Sequence, residues 1–222
     1  MHYPVNELFE TIQGEGHFTG VPAVFLRLQG CPVGCPWCDT RHTWTQEAQD
    51  RVAPDAVIGA GDGQPRWAEW PLEALVAHLT GPSYRARHLV ITGGEPCLQD
   101  LRPLTERMEA AGWRCQIETS GCFEVRTSAD TWVTVSPKIG MKGGYQVLRS
   151  ALERANEIKH PVAMQKHIDE LDALLGDLPL AGKVVALQPI SQQHRANDLC
   201  VKVCIERNWR LSVQTHKYLN ID

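Results

Sequence analysis

The chain has 222 residues, 43% of them hydrophobic and 22% charged, with a formal net charge of −4. That is enough for one domain with a sizeable core, and it excludes a broad basic footprint for nucleic acid or an anionic membrane. No apolar run approaches the ~20 residues of a membrane span. No basic-then-apolar leader follows Met1, so the expected setting is cytoplasmic, with the eight cysteines reduced and available for metal or redox chemistry.

In chain order, residues 7–16 read as a loop, because they end in two glycines around Glu15. Residues 21–28 alternate Val24, Leu26 and Leu28 against Phe25 and Arg27, which predicts a strand. Arg27 is a charge in an otherwise apolar run. Spacing leaves it either at a solvated edge or as an anion-binding guanidinium. The strand leads into Cys31-Pro-Val-Gly-Cys35-Pro-Trp-Cys38-Asp39-Thr40. Three thiolates so close ask for a soft metal or an iron–sulfur cluster, and three cysteines on a four-iron cluster leave one iron open. A zinc site with His42 as fourth ligand is the alternative. A disulfide among such near positions would be strained.

Residues 46–71 show no period and hold several prolines and glycines, which predicts an inserted surface segment with at most a short helix. Pro71 then opens a helix with Leu72, Leu75, Val76 and Leu79 on one face. Strands are predicted at 88–92, 114–119, 132–135, 157–160, 184–187 and 209–213. Helices carry Leu101, Leu104, Met108 and Ala111, then Ile168, Leu171 and Leu175, then Ala196, Cys200, Val203 and Cys204. The alternation from about residue 72 argues for an α/β fold with a parallel sheet of about six strands, as an open or partial barrel. Cys97, Cys115, Cys122, Cys200 and Cys204 are read as small core residues.

Strand after strand ends in a polar signature: 31–38, 92–96, 118–121, 136–138, 188–191 and 214–216. Parallel α/β folds build their sites at those carboxyl ends. Gly93-Gly94-Glu95-Pro96 offers exposed backbone and a carboxylate, though Glu95 also suits a helix N-terminus. Lys138 suits a carboxylate ligand or solvent. Asp39 and Thr40 suit a cap or a hard cation.

The spacing Cys31-x3-Cys35-x2-Cys38, with Gly93-Gly94-Glu95-Pro96, resembles the radical S-adenosylmethionine (SAM) enzymes. Adding residues 6–16, 27–31, 38–40, 117–121, 135–138 and the tail Gln214-Thr-His216-Lys-Tyr-Leu, the chain resembles the 7-carboxy-7-deazaguanine synthase family in its enterobacterial form. The match runs essentially end to end and is least clear at 46–71. The resemblance implies a single radical SAM domain over 1–222 and a carbon–nitrogen lyase. Its reaction would contract 6-carboxy-5,6,7,8-tetrahydropterin to 7-carboxy-7-deazaguanine with loss of ammonia, on the way to queuosine. It implies a [4Fe–4S] cluster on Cys31, Cys35 and Cys38, with the SAM-derived radical rather than a side chain doing the chemistry. It places SAM against Trp37, Gly94, Glu95, Ser136, Pro137, Lys138 and Gln188. It places the pterin against Ile12, Gln13, Gly14, Arg27, Thr92 and His216, with Mg²⁺ on Thr40. It also implies a flavodoxin or ferredoxin as electron donor, and a homodimer. Two other readings share some of these motifs: a glycyl-radical activase, and a zinc or iron–sulfur binding module. The pterin-side residues Gln13, Arg27 and Thr40 speak against the first, and the colour of an anaerobic sample distinguishes the second.

Overall fold

The computed structural model describes residues 1–59, 61–190 and 193–221. Ser191, in the predicted 188–191 signature, lies outside them. The described residues build nine strands: β1 His2–Ile12, β2 Pro22–Leu28, β3 Ala68–Pro71, β4 His88–Gly93, β5 Arg114–Thr119, β6 Trp132–Val135, β7 Glu157–Val162, β8 Val184–Pro189 and β9 Arg210–Leu211. They form one sheet in the order β3-β1-β2-β4-β5-β6-β7-β8-β9. β1 is antiparallel to both neighbours, and every pairing from β2 onward is parallel. The fold is thus α/β with a mostly parallel sheet, but with more strands than the six expected.

The helices are α1 Leu72–Thr80, α2 Arg102–Ala110, α3 Arg149–Arg154, α4 Gln165–Leu175, α5 His194–Arg207 and α6 Thr215–Leu219. None of the described helices is long and apolar enough to cross a membrane.

Two sequence readings need correction. The stretch at 7–16 is not a loop throughout, because β1 runs to Ile12. Its alternation is hidden by a register shift between Val5 and Glu7, and by the burial of the polar residues Asn6 and Glu7. The 46–71 segment is not wholly a surface insertion. It holds two 3-10 turns, and its end is the edge strand β3, with Trp70 buried against the core. Pro71 is tolerated there because an edge strand has no outer ladder to feed. α3, at six residues too short to show a period, was not expected.

Outside β1, whose register shifts, the strand residues divide by parity. Leu26, Leu89, Ile91, Ile117, Val133, Val135, Ile158 and Leu187 face the helix layer and form one apolar core with Leu75, Leu104, Met108, Ile168 and Leu171. The five cysteines outside the loop are buried, as expected of small apolar residues. The alternate positions, Arg27, Thr92, Gln116, Glu118, Thr134, Glu157, Lys159 and Gln188, share the opposite face. A sheet face this polar and yet largely buried is costly unless its groups pair with one another or hold a ligand.

Candidate active site

The polar face opens into a cavity of ≈ 400 Å³ at the carboxyl ends of the parallel strands. Its wall begins where β2 ends. Gly30 N–H donates to Thr43 O at 2.7 Å and Cys31 N–H to Trp44 O at 3.0 Å, which folds the cysteine loop back on itself. Gly34 takes a φ of +71°, which a side chain would strain. Cys31, Cys35 and Cys38 are unpaired and all line the cavity. Trp44 Nε1 donates to Cys38 Sγ at 3.3 Å, and Thr40 Oγ1 lies 3.6 Å from the same sulfur. Burial pushes the Cys31 thiol up to about 11. Burial also raises Cys35, against the pull of the Lys138 ammonium. Ligation reverses this, since a coordinating thiol is deprotonated by the metal.

Among the described residues no three His, Cys, Asp or Glu side chains converge on a single ion's position. A four-iron cluster would not require that, because each thiolate would bind a different iron. Three cavity-facing thiols, one accepting an indole N–H and one beside an ammonium, fit such a cluster. Hydrogen bonds to the sulfurs are among the features that tune one.

Gly93 and Gly94 do more than expose backbone. Gly94 N–H donates to Leu28 O at 3.0 Å and Glu95 N–H to Gly30 O at 2.8 Å, so β4 grips the start of the cysteine loop. A Cβ on Gly94 would lie 2.7 Å from the Gly30 carbonyl carbon. The Glu95 side chain is 2% exposed. It accepts from Cys97 N–H at 2.9 Å, Thr119 Oγ1 at 2.6 Å and Ser120 N–H at 2.9 Å, and from the Ser120 hydroxyl. It thereby ties the β4 turn to the end of β5. Glu95 accepts from the short turn after it, as its turn-capping reading expects, and it also lines the cavity.

The floor is the hairpin turn after β1, and Ile12, Gln13, Gly14 and Glu15 all line the cavity. Lys159 on β7 joins Glu15 (2.7 Å) and Glu118 on β5 (2.9 Å). Burial lifts Glu118 to about 7, with Lys159 pulling the other way. Burial would also raise Glu15, but the Lys159 charge and hydrogen bond outweigh it and bring Glu15 down to about 2. Burial lowers Lys159, and its two carboxylates more than reverse that. The C-terminal strap closes over the floor. Thr215 N–H donates to Gly14 O at 2.9 Å, Gln214 Nε2 to Glu15 Oε1 at 2.7 Å, and the His216 ring packs on Gly14.

On the opposite wall Arg27 pairs with Glu7 through Nε at 2.5 Å. Lys138 donates to Ser136 Oγ at 2.6 Å, and Gln188 accepts from Ser212 Oγ at 2.9 Å. Burial lowers the Lys138 ammonium. Trp37 stands 45% exposed at the rim.

Of the residues singled out in the sequence, Cys31, Cys35, Cys38, Thr40, Trp37, Gly94, Glu95, Ser136, Lys138, Gln188, Ile12, Gln13, Gly14, Arg27, Thr92 and His216 line this one cavity. Pro137 is buried behind the wall and does not. Sequence reasoning assigned no role to Lys159, Glu118 or Gln214, all of which line it. The signal for Lys159 was present: a lone charge inside the buried run Ile158-Lys159-His160, the same kind of signal that drew attention to Arg27.

No family model matches the chain. It is 57% identical over 222 residues, the whole of both chains, to the 7-carboxy-7-deazaguanine synthase of Escherichia coli strain K12. It is 43% identical over the same full length to that of Buchnera aphidicola, and 33% identical to that of Synechocystis, over 99% of this chain and 93% of the other. The fold matches the crystal structure of QueE from Escherichia coli with a TM-score of 0.94 and 56% identity, covering 96% of this chain and 94% of that one. The chain belongs to the 7-carboxy-7-deazaguanine synthase family.

Proposed function

We propose that the chain is a radical SAM lyase that contracts 6-carboxy-5,6,7,8-tetrahydropterin to 7-carboxy-7-deazaguanine with loss of ammonia, a step of queuosine biosynthesis. The observation that carries this is the full-length 57% identity to a protein of that name. The gathering of the cysteine loop, the Gly93-Gly94-Glu95 turn and Arg27 around one cavity supports it. When bound, the cluster on Cys31, Cys35 and Cys38 and SAM supply the hydrogen-abstracting chemistry.

The chain's own residues bind, orient and shield. Lys138, Ser136, Gln188, Gly94, Glu95 and Trp37 form the SAM side, with Pro137 shaping the wall from behind. On the other side Ile12, Gln13, Gly14, Thr92, Arg27 and His216 hold the pterin. The floor places two carboxylates on one lysine, so it has room for one further positive charge or proton. The N–H donors of an aminopyrimidinone edge meet that need. Arg27 takes the substrate carboxylate, and Thr40 presents its hydroxyl to Mg²⁺ beside it. The strap over the floor excludes water. The polar inner face belongs to a partial barrel of the radical SAM type: Lys159 on β7 meets the turn after β1, which the curl of such a sheet makes possible. The proposal includes one domain over 1–222, a cytoplasmic homodimer, and a flavodoxin or ferredoxin as reductant.

The test is anaerobic turnover of reconstituted protein with SAM, Mg²⁺, dithionite and 6-carboxy-tetrahydropterin, read by mass spectrometry. Formation of 7-carboxy-7-deazaguanine with loss of ammonia is expected. Accumulation of 5′-deoxyadenosine without that product would keep the radical chemistry and reject the substrate.

A further inference from the structure

Arg27 lines the cavity, but the residue that fixes its direction stands outside it. Glu7 on β1 lies opposite Arg27 in the β1–β2 register. Its Oε1 accepts from Arg27 Nε at 2.5 Å, and its Oε2 accepts the backbone N–H of Gly61 at 2.5 Å. Both oxygens of this buried carboxylate are therefore committed. A guanidinium held through Nε keeps its terminal NH₂ groups free. Those of Arg27 make no hydrogen bond among the described residues. A planar fork with its terminal groups free takes a carboxylate bidentately.

Gly61 is matched to this arrangement. A Cβ there would collide with Glu7 Oε2. The segment after it is stitched to β1 and to the end of β2, with Asn6 Nδ2 donating to Arg66 O at 2.8 Å and Gln29 Nε2 to Pro65 O at 3.3 Å.

We propose that Glu7 is a positioning residue: anchored by the Gly61 N–H, it holds Arg27 with its terminal nitrogens presented to the carboxylate of the substrate. This rests on the reading of Arg27 as the substrate-carboxylate contact. Glu7 also neutralises Arg27. The site therefore selects its ligand through the geometry of the fork more than through long-range charge.

Replacing Glu7 with Gln leaves one acceptor oxygen for two donors. The amide NH₂ must then face either Arg27 Nε or the Gly61 N–H, and one bond is lost. Gly61→Ala perturbs the same anchor from the other end.

The experiment uses cluster-loaded protein with SAM. Calorimetry compares binding of 6-carboxy-tetrahydropterin with binding of the analogue carrying a methyl group in place of the carboxyl. Glu7→Gln and Gly61→Ala are each expected to weaken the carboxylated ligand about tenfold and to leave the methyl analogue within about twofold, since only the fork's alignment changes. Iron content and SAM affinity should be unchanged. Equal weakening of both ligands would show a merely structural role and overturn the proposal, as would unchanged binding of both. Arg27→Ala separates the two levels. If it fails to discriminate between the ligands, the reading of Arg27 falls and this proposal with it. If Arg27→Ala discriminates and neither Glu7→Gln nor Gly61→Ala does, only the positioning role is lost.

Discussion

Lys159 Nζ lies 2.9 Å from Glu118 Oε2, joining β7 to β5 across the strand between them. Glu15, the second carboxylate on that lysine, comes from the hairpin turn after β1, so three separate parts of the chain meet on one ammonium. Glu157 and Lys138 add their charges to the same neighbourhood.

The two carboxylates respond to pH with opposite signs. Burial holds Glu118 at about 7, above the ordinary 4.5. The folded state therefore keeps a proton that the unfolded state has lost, and the stability this adds is present below 4.5 and disappears as pH rises through 7. Glu15, brought down to about 2 by Lys159 against the effect of burial, adds stability above 4.5 that is lost as pH falls toward 2. Glu118→Gln removes only the first of these. Relative to the parent, its urea-derived stability should improve by about 1–2 kcal/mol between about pH 5 and pH 8. Parallel pH profiles would mean that Glu118 does not hold a proton in that range.

Gly94→Ala places a methyl group 2.7 Å from the Gly30 carbonyl carbon, where only backbone can yield. Either the β4 turn or the cysteine loop must shift. The expected cost is about 2–3 kcal/mol in urea unfolding of the cluster-free protein. Reconstitution should also yield less iron, because the loop that moves carries Cys31. Wild-type stability with full iron uptake would show that the two backbones have slack.

Cys35→Ala separates the cluster from the fold. The residue is buried but small, so the cluster-free protein should lose no more than about 1 kcal/mol. Iron and sulfide content should fall to background and SAM cleavage with it. Thr40→Ala is the contrasting case. Its hydroxyl is 3.6 Å from Cys38 Sγ, yet the predicted role is toward Mg²⁺. The variant should keep its iron, and the Mg²⁺ concentration giving half-maximal turnover should rise about tenfold. An unchanged titration would remove Thr40 from the metal's surroundings.

The helix-facing half of the sheet was legible because its residues are apolar. Leu26, Ile91, Ile117 and Ile158 signal strands at close to the observed boundaries. The cysteine loop was legible because three thiols in eight residues have few other uses. β1 was not, since a register shift and two buried polar side chains break its period. Lys159 and Glu118 were not assigned because their meaning lies in each other: 41 residues apart in the chain, they become a pair only when β5 and β7 are set around β6. Glu7 was hidden for the same reason, since its two partners are Arg27 and a backbone N–H in the segment that resembled the family least.

The strap over the floor supports a prediction with an internal control. α6 is five residues long, too short to hold itself as a helix, so its position depends on its bonds to the turn below. Thr215 N–H and Oγ1 both donate to Gly14 O, and Lys217 lies 3.9 Å from Asp39 of the cysteine loop. The His216 ring fills the space above Gly14, and a Cβ at position 14 would lie 2.9 Å from His216 Cβ. His216→Ala should loosen the strap, raising KM for the pterin about fivefold with less effect on kcat, as expected when a closing element is lost. Limited proteolysis near the C-terminus should quicken in parallel. Gly14→Ala should do the same by pushing the ring away. The double variant has lost the ring, and only the 2.9 Å approach of the two Cβ atoms remains, so its effect should fall below the sum of the two singles. Strict additivity would mean that Gly14 and His216 act through different contacts, and that the strap does not close the cavity through this pair.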